Sequence, residues 1–251
     1  MQAIRAELPG GDRRRSRVWL FDLDNTLHDA SHAAFGPISE AMTGYIVEHI
    51  GLGDGDAAVL RQDYWRRYGA TLLGMVRHHG VRAAHFLEQT HRLPGLEDRL
   101  RTSAHDRAAL RRLPGRKYVL TNAPRRYAER VLVALGLMQS FDGVLSIEDM
   151  AMFGHLRPKP DRRMLRTVAV RLGVPPARCV LVEDTLEHQK AAHGLGMTTV
   201  WMQRYLGGRY RGPLANLPNA GARHSEVGVH RCPNPLYVCA KIRSLQKLRR
   251  A

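Results

Sequence analysis

The chain has 251 residues, 44% hydrophobic and 25% charged, which suits one large globular domain or a core with a smaller insertion. No apolar run is long enough to span a membrane, and residues 1–17 carry no apolar leader, so neither a membrane anchor nor export is expected. The net charge of +16 invites a nucleic-acid reading, yet it gathers at the ends: residues 1–17 hold five Arg against two acids, and residues 201–251 hold ten Lys or Arg against one acid.

In chain order, residues 18–21 form a short apolar run with the length of a buried parallel strand. Residues 28–111 contain no such run and read as helices over roughly 38–50, 57–68 and 81–90, with Leu93-Pro94-Gly95 as a turn. The strand pattern resumes at 118–120, weakly at 143–147, and again at 179–182 and 198–201. Helical segments at 127–135, 161–172 and 187–193 lie between these runs, each followed by a glycine (Gly136, Gly173, Gly194) suited to a left-handed helix stop. Alternating strands and helices imply an α/β fold with a parallel sheet covered on both faces. The expected organisation is a core of residues 1–27 and 112–209, an inserted α-helical domain over 28–111, and a basic tail over 210–251 ending in a short helix near 237–249. Three cysteines, Cys179, Cys232 and Cys239, give no disulfide framework, and a reducing cytoplasm is the expected location. His224, His230, Cys232 and Cys239 lack the paired spacing of a structural zinc site.

Sites in open parallel sheets lie at the carboxyl ends of strands. Asp22-Leu23-Asp24 follows the first run, Thr121-Asn122 the second, and Glu183-Asp184 the run at 179–182; Lys159 stands between two prolines before a helix. An ionised Asp22 is a nucleophile, and a phosphate ester is also an anion, so their approach requires cations. Lys159 and a hard divalent ion, Mg²⁺ by preference, meet that need, with Asp22 and Asp184 as carboxylate ligands and Glu183 reaching the ion through water. Thr121, Asn122 and the backbone N–H groups after Asp22 are expected to hold phosphoryl oxygens. Asp24 is the expected general acid and base.

These motifs resemble those of the haloacid dehalogenase-like hydrolase superfamily: residues 21–27 its first motif, Thr121-Asn122 its second, Lys159 its third, and Val182-Glu183-Asp184-Thr185 its fourth. The resemblance implies a Rossmann-like doubly wound core with a helical cap inserted after the first strand, aspartyl-phosphate chemistry with Mg²⁺, and the backbone carbonyl of Asp24 as a further metal ligand. Members that remove halides lack the second acid, so Asp24 favours phosphate transfer. One departure is His188, where the fourth motif often carries Asp or Asn; His28, just past the first motif, is a further candidate for substrate contact.

Within the superfamily, the segment containing Tyr64, Tyr68-Gly69, Thr71-Leu72 and Gly74 is similar to the pyrimidine 5′-nucleotidase group. Tyr64 and Tyr68 share a helix face and are candidates for contacting a base or ribose, whereas Arg66 and Arg67 are expected to face solvent. The resulting expectation is a phosphatase for a small phosphate ester, preferentially a pyrimidine nucleoside 5′-monophosphate. A phosphoglycolate or sugar-phosphate phosphatase or phosphomutase is the alternative, and nucleic-acid binding through the basic tail a second one.

Overall fold

The computed structural model describes residues 17–206 and 235–250. Strand β1 (Val18–Phe21) runs through its centre, with all four residues buried. Its side chains alternate as a pleated strand requires: Trp19 and Phe21 enter one apolar layer, Val18 and Leu20 the other. A strand so placed needs parallel neighbours on both sides, and it has β2 (Arg116–Leu120) and β6 (Cys179–Glu183). β3 (Gly143–Leu145) lies beyond β2, and β7 (Thr198–Met202) beyond β6.

Helix α8 (Arg125–Ala134) covers one face through Tyr127, Ala128, Val131 and Leu132. α9 (Arg162–Arg171) covers the other through Met164, Leu165, Val168 and Ala169, joined by Ala192 of α10 (Leu186–His193). Between β3 and α9, β4 (Ala151–Met152) and β5 (His155–Leu156) form a small antiparallel hairpin. The sheet is thus Rossmann-like and doubly wound, with the chain moving outward from β1 in both directions. The reversal opens a crevice at the carboxyl ends of β1, β2 and β6.

Seven helices separate β1 from β2: α1 (Ala30–Ala33), α2 (Phe35–Ile50), α3 (Asp54–Tyr68), α4 (Thr71–His79), α5 (Ala83–Thr90), α6 (Leu96–Arg99) and α7 (Ala104–Arg112). They do not form one block. Tyr45, Ile46, Tyr64, Leu72, Met75, Phe86 and Leu87 from α2–α5 share a cluster of their own. Leu96 and Leu110 of α6 and α7, with Leu100 and Leu113, instead join the layer under the main sheet.

Near 237–249 the structure differs from the expected short helix. Among its described residues, β8 (Ala240–Ile242) adds a sixth parallel strand beside β7, and a 3₁₀ segment follows at Leu245–Arg250 in place of the expected helix. Val238, Ile242, Leu245 and Leu248 are buried. Buried Asp106 of α7 anchors this segment: it accepts from Ser244 Oγ at 2.9 Å and from Leu245 N at 3.0 Å, and pairs with Arg204. Cys232 and both candidate tail histidines lie outside the described residues.

Gly136 and Gly173 have the expected left-handed backbone, with φ of 65° and 69°. After α10, however, Gly194 keeps φ at −65° and the left-handed turn falls on Gly196 at 83°. Among the described residues no helix is long and apolar enough to cross a membrane.

Candidate active site

Four segments converge on the crevice. The first leaves β1: Asp22 N still donates to Val182 O at 2.9 Å, so the residue just past the strand is held in register with β6. The chain then curls, with Leu27 N donating to Leu23 O at 2.9 Å. Asn25 takes a left-handed backbone at φ 56°, and its side-chain oxygen accepts from Ser31 N at 3.0 Å. Asn tolerates this conformation better than most residues. The second segment continues β2: Thr121 N donates to Leu145 O, and Thr121 Oγ1 accepts from Ala123 N at 3.0 Å. The third carries Glu183 and Asp184 at the end of β6.

The fourth is the loop of Lys159. The Asn122 side chain grips its backbone twice, donating to Lys159 O at 3.0 Å and accepting from Lys159 N at 2.9 Å. Asp161 then caps α9 by accepting from Arg163 N and Met164 N. Asn122, an expected phosphoryl contact, borders the cavity, and its amide also fixes the lysine loop.

Lys159 is 2% exposed, and its Nζ donates to Asp22 Oδ1 at 2.6 Å and to Glu183 Oε2 at 2.7 Å. His188 Nδ1 lies 3.0 Å from the same Glu183 oxygen, so the position where the fourth motif departs from its usual acid or amide faces this cluster. Oxygens of Asp22, Glu183 and Asp184 lie within 4.8 Å of one another. One ammonium cannot neutralise three buried carboxylates. Burial, then the charges of Glu183 and Asp24, push the Asp22 carboxyl up to about 7 against the pull of Lys159. Burial, then Glu183 and Asp22, push Asp184 up to about 9. Burial works the same way on Glu183, but Lys159 and His188 outweigh it and hold that carboxyl below its usual range. Lys159 itself would lose its proton more easily by burial, yet Asp22 and Glu183 hold it above the usual lysine range. The surplus negative charge and the all-oxygen donor set fit a hard divalent cation.

Asp24 is the more exposed acid. Its Oδ1 accepts from Tyr127 OH at 2.8 Å and lies 3.0 Å from His28 Nε2. His28 is fully buried and Tyr127 almost so. Both ring groups meet the same oxygen, which leaves Oδ2 as the uncommitted one.

Above this floor is a cavity of about 600 Å³, bordered by Asp22, Asp24, Thr121, Lys159 and Asp184 below and by helices α2–α5 above. The upper wall corrects the sequence reading. Tyr64 and Tyr68 do not border the cavity: Tyr64 is 7% exposed, with its OH 2.8 Å from His79 Nε2, and Tyr68 OH is 2.6 Å from His78 Nε2. They do share a helix face, but it is the one packed within α2–α5. Arg66 and Arg67 are both exposed, as expected; Arg66 also borders the cavity, and Arg67 pairs with Asp63 on the outside. His28 contacts Asp24 and does not border the cavity.

The sequence reading also passed over Tyr127 and His91. A tyrosine on the apolar stripe of α8 signals a hydroxyl that must find a partner, and here the partner is Asp24. His91 borders the cavity at the end of α5. Its Nδ1 lies 3.1 Å from Leu87 O and 2.9 Å from Thr90 Oγ1, whose own proton goes to Phe86 O. Both partners accept, so Nδ1 carries the proton and Nε2 is bare. Burial lowers this imidazole to about 4, which keeps it neutral.

A family model described as haloacid dehalogenase-like hydrolase matches residues 17–196. "Phosphate metabolism protein 8" of Saccharomyces cerevisiae is 24% identical over 76% of this chain and 62% of its own length. "Fructose-1-phosphate phosphatase YqaB" of Escherichia coli is 36% identical over 32% of this chain and 40% of its own. The chain therefore spans less than two thirds of either relative. Among solved structures, a "putative phosphoglycolate phosphatase" of Lactobacillus plantarum shares the fold with a TM-score of 0.58, at 16% identity over 94% of this chain and 98% of that one.

Proposed function

The chain belongs to the haloacid dehalogenase-like hydrolases, and from that premise we propose that it is a phosphatase that takes the phosphoryl group of a small ester onto Asp22. The observation that carries this reading is Lys159 Nζ, buried and bonded to both Asp22 and Glu183 beneath a cavity large enough for an organic phosphate.

The Lys159 ammonium, the Thr121 hydroxyl and the backbone N–H groups after Asp22 hold the phosphoryl oxygens. A carboxylate oxygen of Asp22 attacks phosphorus as the P–O bond to the alcohol breaks. Asp24 gives the leaving oxygen its proton from Oδ2, because Oδ1 is engaged by Tyr127 and His28. Oδ2 then takes a proton from the water that attacks the aspartyl phosphate, which releases phosphate and restores Asp22. Asp22, Asp184 and the Asp24 backbone carbonyl would hold a Mg²⁺ ion, with Glu183 acting on it through water, and the bound ion would supply positive charge that lets two anions meet.

The proposed substrate is a pyrimidine nucleoside 5′-monophosphate. The resemblance of residues 64–74 to the pyrimidine 5′-nucleotidase group supports it. So does the cavity: about 600 Å³ lies within the range of roughly 300–1,000 Å³ typical of sites for drug-sized ligands and greatly exceeds what a two-carbon phosphate fills. A sugar-phosphate or phosphoglycolate phosphatase, or a phosphomutase, is the second reading, favoured by the names of the relative and the structural neighbour above. Phosphate release from UMP, CMP, AMP, phosphoglycolate and sugar phosphates, with Mg²⁺ and with analysis for isomerised products, separates them. The highest kcat/KM is expected for UMP and CMP; equal or better turnover of the other esters overturns the nucleotide assignment.

A further inference from the structure

Helix α3 has two working faces. Ala57, Tyr64 and the partly buried Leu60 and Tyr68 enter the helical cluster, whereas Arg61, Gln62 and Trp65 border the cavity. Among the polar side-chain groups of the second set, only Arg61 Nε has a hydrogen-bond partner within the described residues. Gln62 is 8% exposed, and its side-chain amide makes no hydrogen bond among the described residues. That amide keeps solvent access where it borders the cavity, so a ligand there can replace water as its partner. Arg61 is held in place by Nε donating to Thr43 Oγ1 at 3.2 Å, and no carboxylate among the described residues pairs with it. Trp65 presents an indole at the cavity rim, 39% exposed.

We propose that Arg61, Gln62 and Trp65 form the recognition site for the heterocyclic base of the substrate. The inference rests on the nucleotide reading of the cavity and says which residues read the ring. A primary amide offers an acceptor and a donor side by side in one plane. Gln62 in one orientation matches the N–H and carbonyl edge of uracil; rotated by half a turn it matches the ring nitrogen and amino edge of cytosine. Arg61 supplies donors to a ring carbonyl, and the Trp65 face stacks on the ring, where a π-surface is tolerant of base identity. This accounts for a wall that can accept either pyrimidine.

The test compares UMP and CMP with ribose 5-phosphate, which keeps the sugar and phosphate but lacks a base, using the full chain and Mg²⁺. The readout is the ratio of kcat/KM for nucleotide to that for ribose 5-phosphate. Gln62→Leu, which keeps the shape and removes the amide, is expected to lower this ratio roughly tenfold, mainly through KM, and Gln62→Leu with Arg61→Met roughly a hundredfold. Trp65→Leu tests the stacking surface in the same way, and thermal melts check that each variant folds. A ratio unchanged in the variants, or a wild-type ratio near one, overturns the inference while leaving phosphatase chemistry standing. A wild type that prefers AMP over UMP, with the variants still lowering the ratio for AMP, keeps the ring site and overturns the pyrimidine assignment instead.

Discussion

The floor and the upper wall of the cavity are built on different terms. On the floor, Asp22, Lys159, Glu183 and Asp184 are all buried; Lys159 bonds both Asp22 and Glu183, and oxygens of the three carboxylates lie within 4.8 Å of one another. Asp22 is held by a strand-to-strand hydrogen bond, and Lys159 by two bonds from Asn122. On the wall, Arg61 and Gln62 project from a helix whose own packing is settled on its opposite face. Under the proposed function, the contrast assigns chemistry to groups locked against one another and selection to groups that stand open to the substrate.

Substitutions can break this division. The largest effect is expected from Asp22→Asn, which removes the proposed nucleophile: kcat should fall by about four orders of magnitude or more, with no acid-stable phosphoenzyme on rapid quench. Substantial residual turnover would move the chemistry off the floor altogether. Lys159→Met should lower kcat/KM by about 10²–10³-fold for every substrate alike, nucleotide or not, as expected for a lost charge contact to the phosphoryl group; a substrate-selective loss would place the lysine with the wall. Tyr127→Phe removes one of the two groups on Asp24 Oδ1, and a loss of roughly tenfold in kcat/KM is expected with an alkyl ester. The loss should be smaller with 4-nitrophenyl phosphate, whose leaving group needs little help from an acid. An equal loss on both esters would reduce Tyr127 to a packing role.

The smallest effects on catalysis are expected where α4 meets the α3 face that carries Tyr64. Gly74→Ala would put a methyl carbon 2.2 Å from the Tyr64 ring, so it should destabilise the fold by about 1–3 kcal/mol in a thermal or denaturant melt without changing kcat of the folded fraction. Tyr64→Phe should leave kcat/KM within about twofold and cost about 1 kcal/mol of stability for its bond to His79. A large drop in nucleotide turnover would restore Tyr64 to the substrate side.

The same division explains what could be read from the sequence. The floor was legible because a central parallel strand is an unbroken apolar run, and the residue after it has one place to go. Asp22, Asp184 and Lys159 therefore meet where the runs that end at 21 and 182 and the loop before α9 require. The role of Asn122 was not legible, because an amide at a strand end can serve a ligand or a neighbouring loop, and only the position of Lys159 O decides. On the wall, spacing correctly grouped Tyr64 with Tyr68 but could not say which face of α3 looks inward; aromatic residues suit either. Strand β8 was hidden because Lys241 stands in the middle of its three residues and the stretch that follows is basic. Helix α4 was missed for a similar reason: Gly74 weakens its helical signal, yet the glycine is what lets the Tyr64 ring approach.

The position of β8 has a consequence for biosynthesis. Because the outermost strand beside β7 comes from residues 240–242, a nascent chain that has emerged only as far as β7 displays that strand's N–H and C=O groups with no neighbour to receive them. Asp106, made far earlier, likewise waits for Ser244 and Leu245. Ribosome stalling or a premature stop before codon 240 would therefore release molecules with a complete set of reactive side chains and a sticky flank, prone to join edge to edge with their own kind.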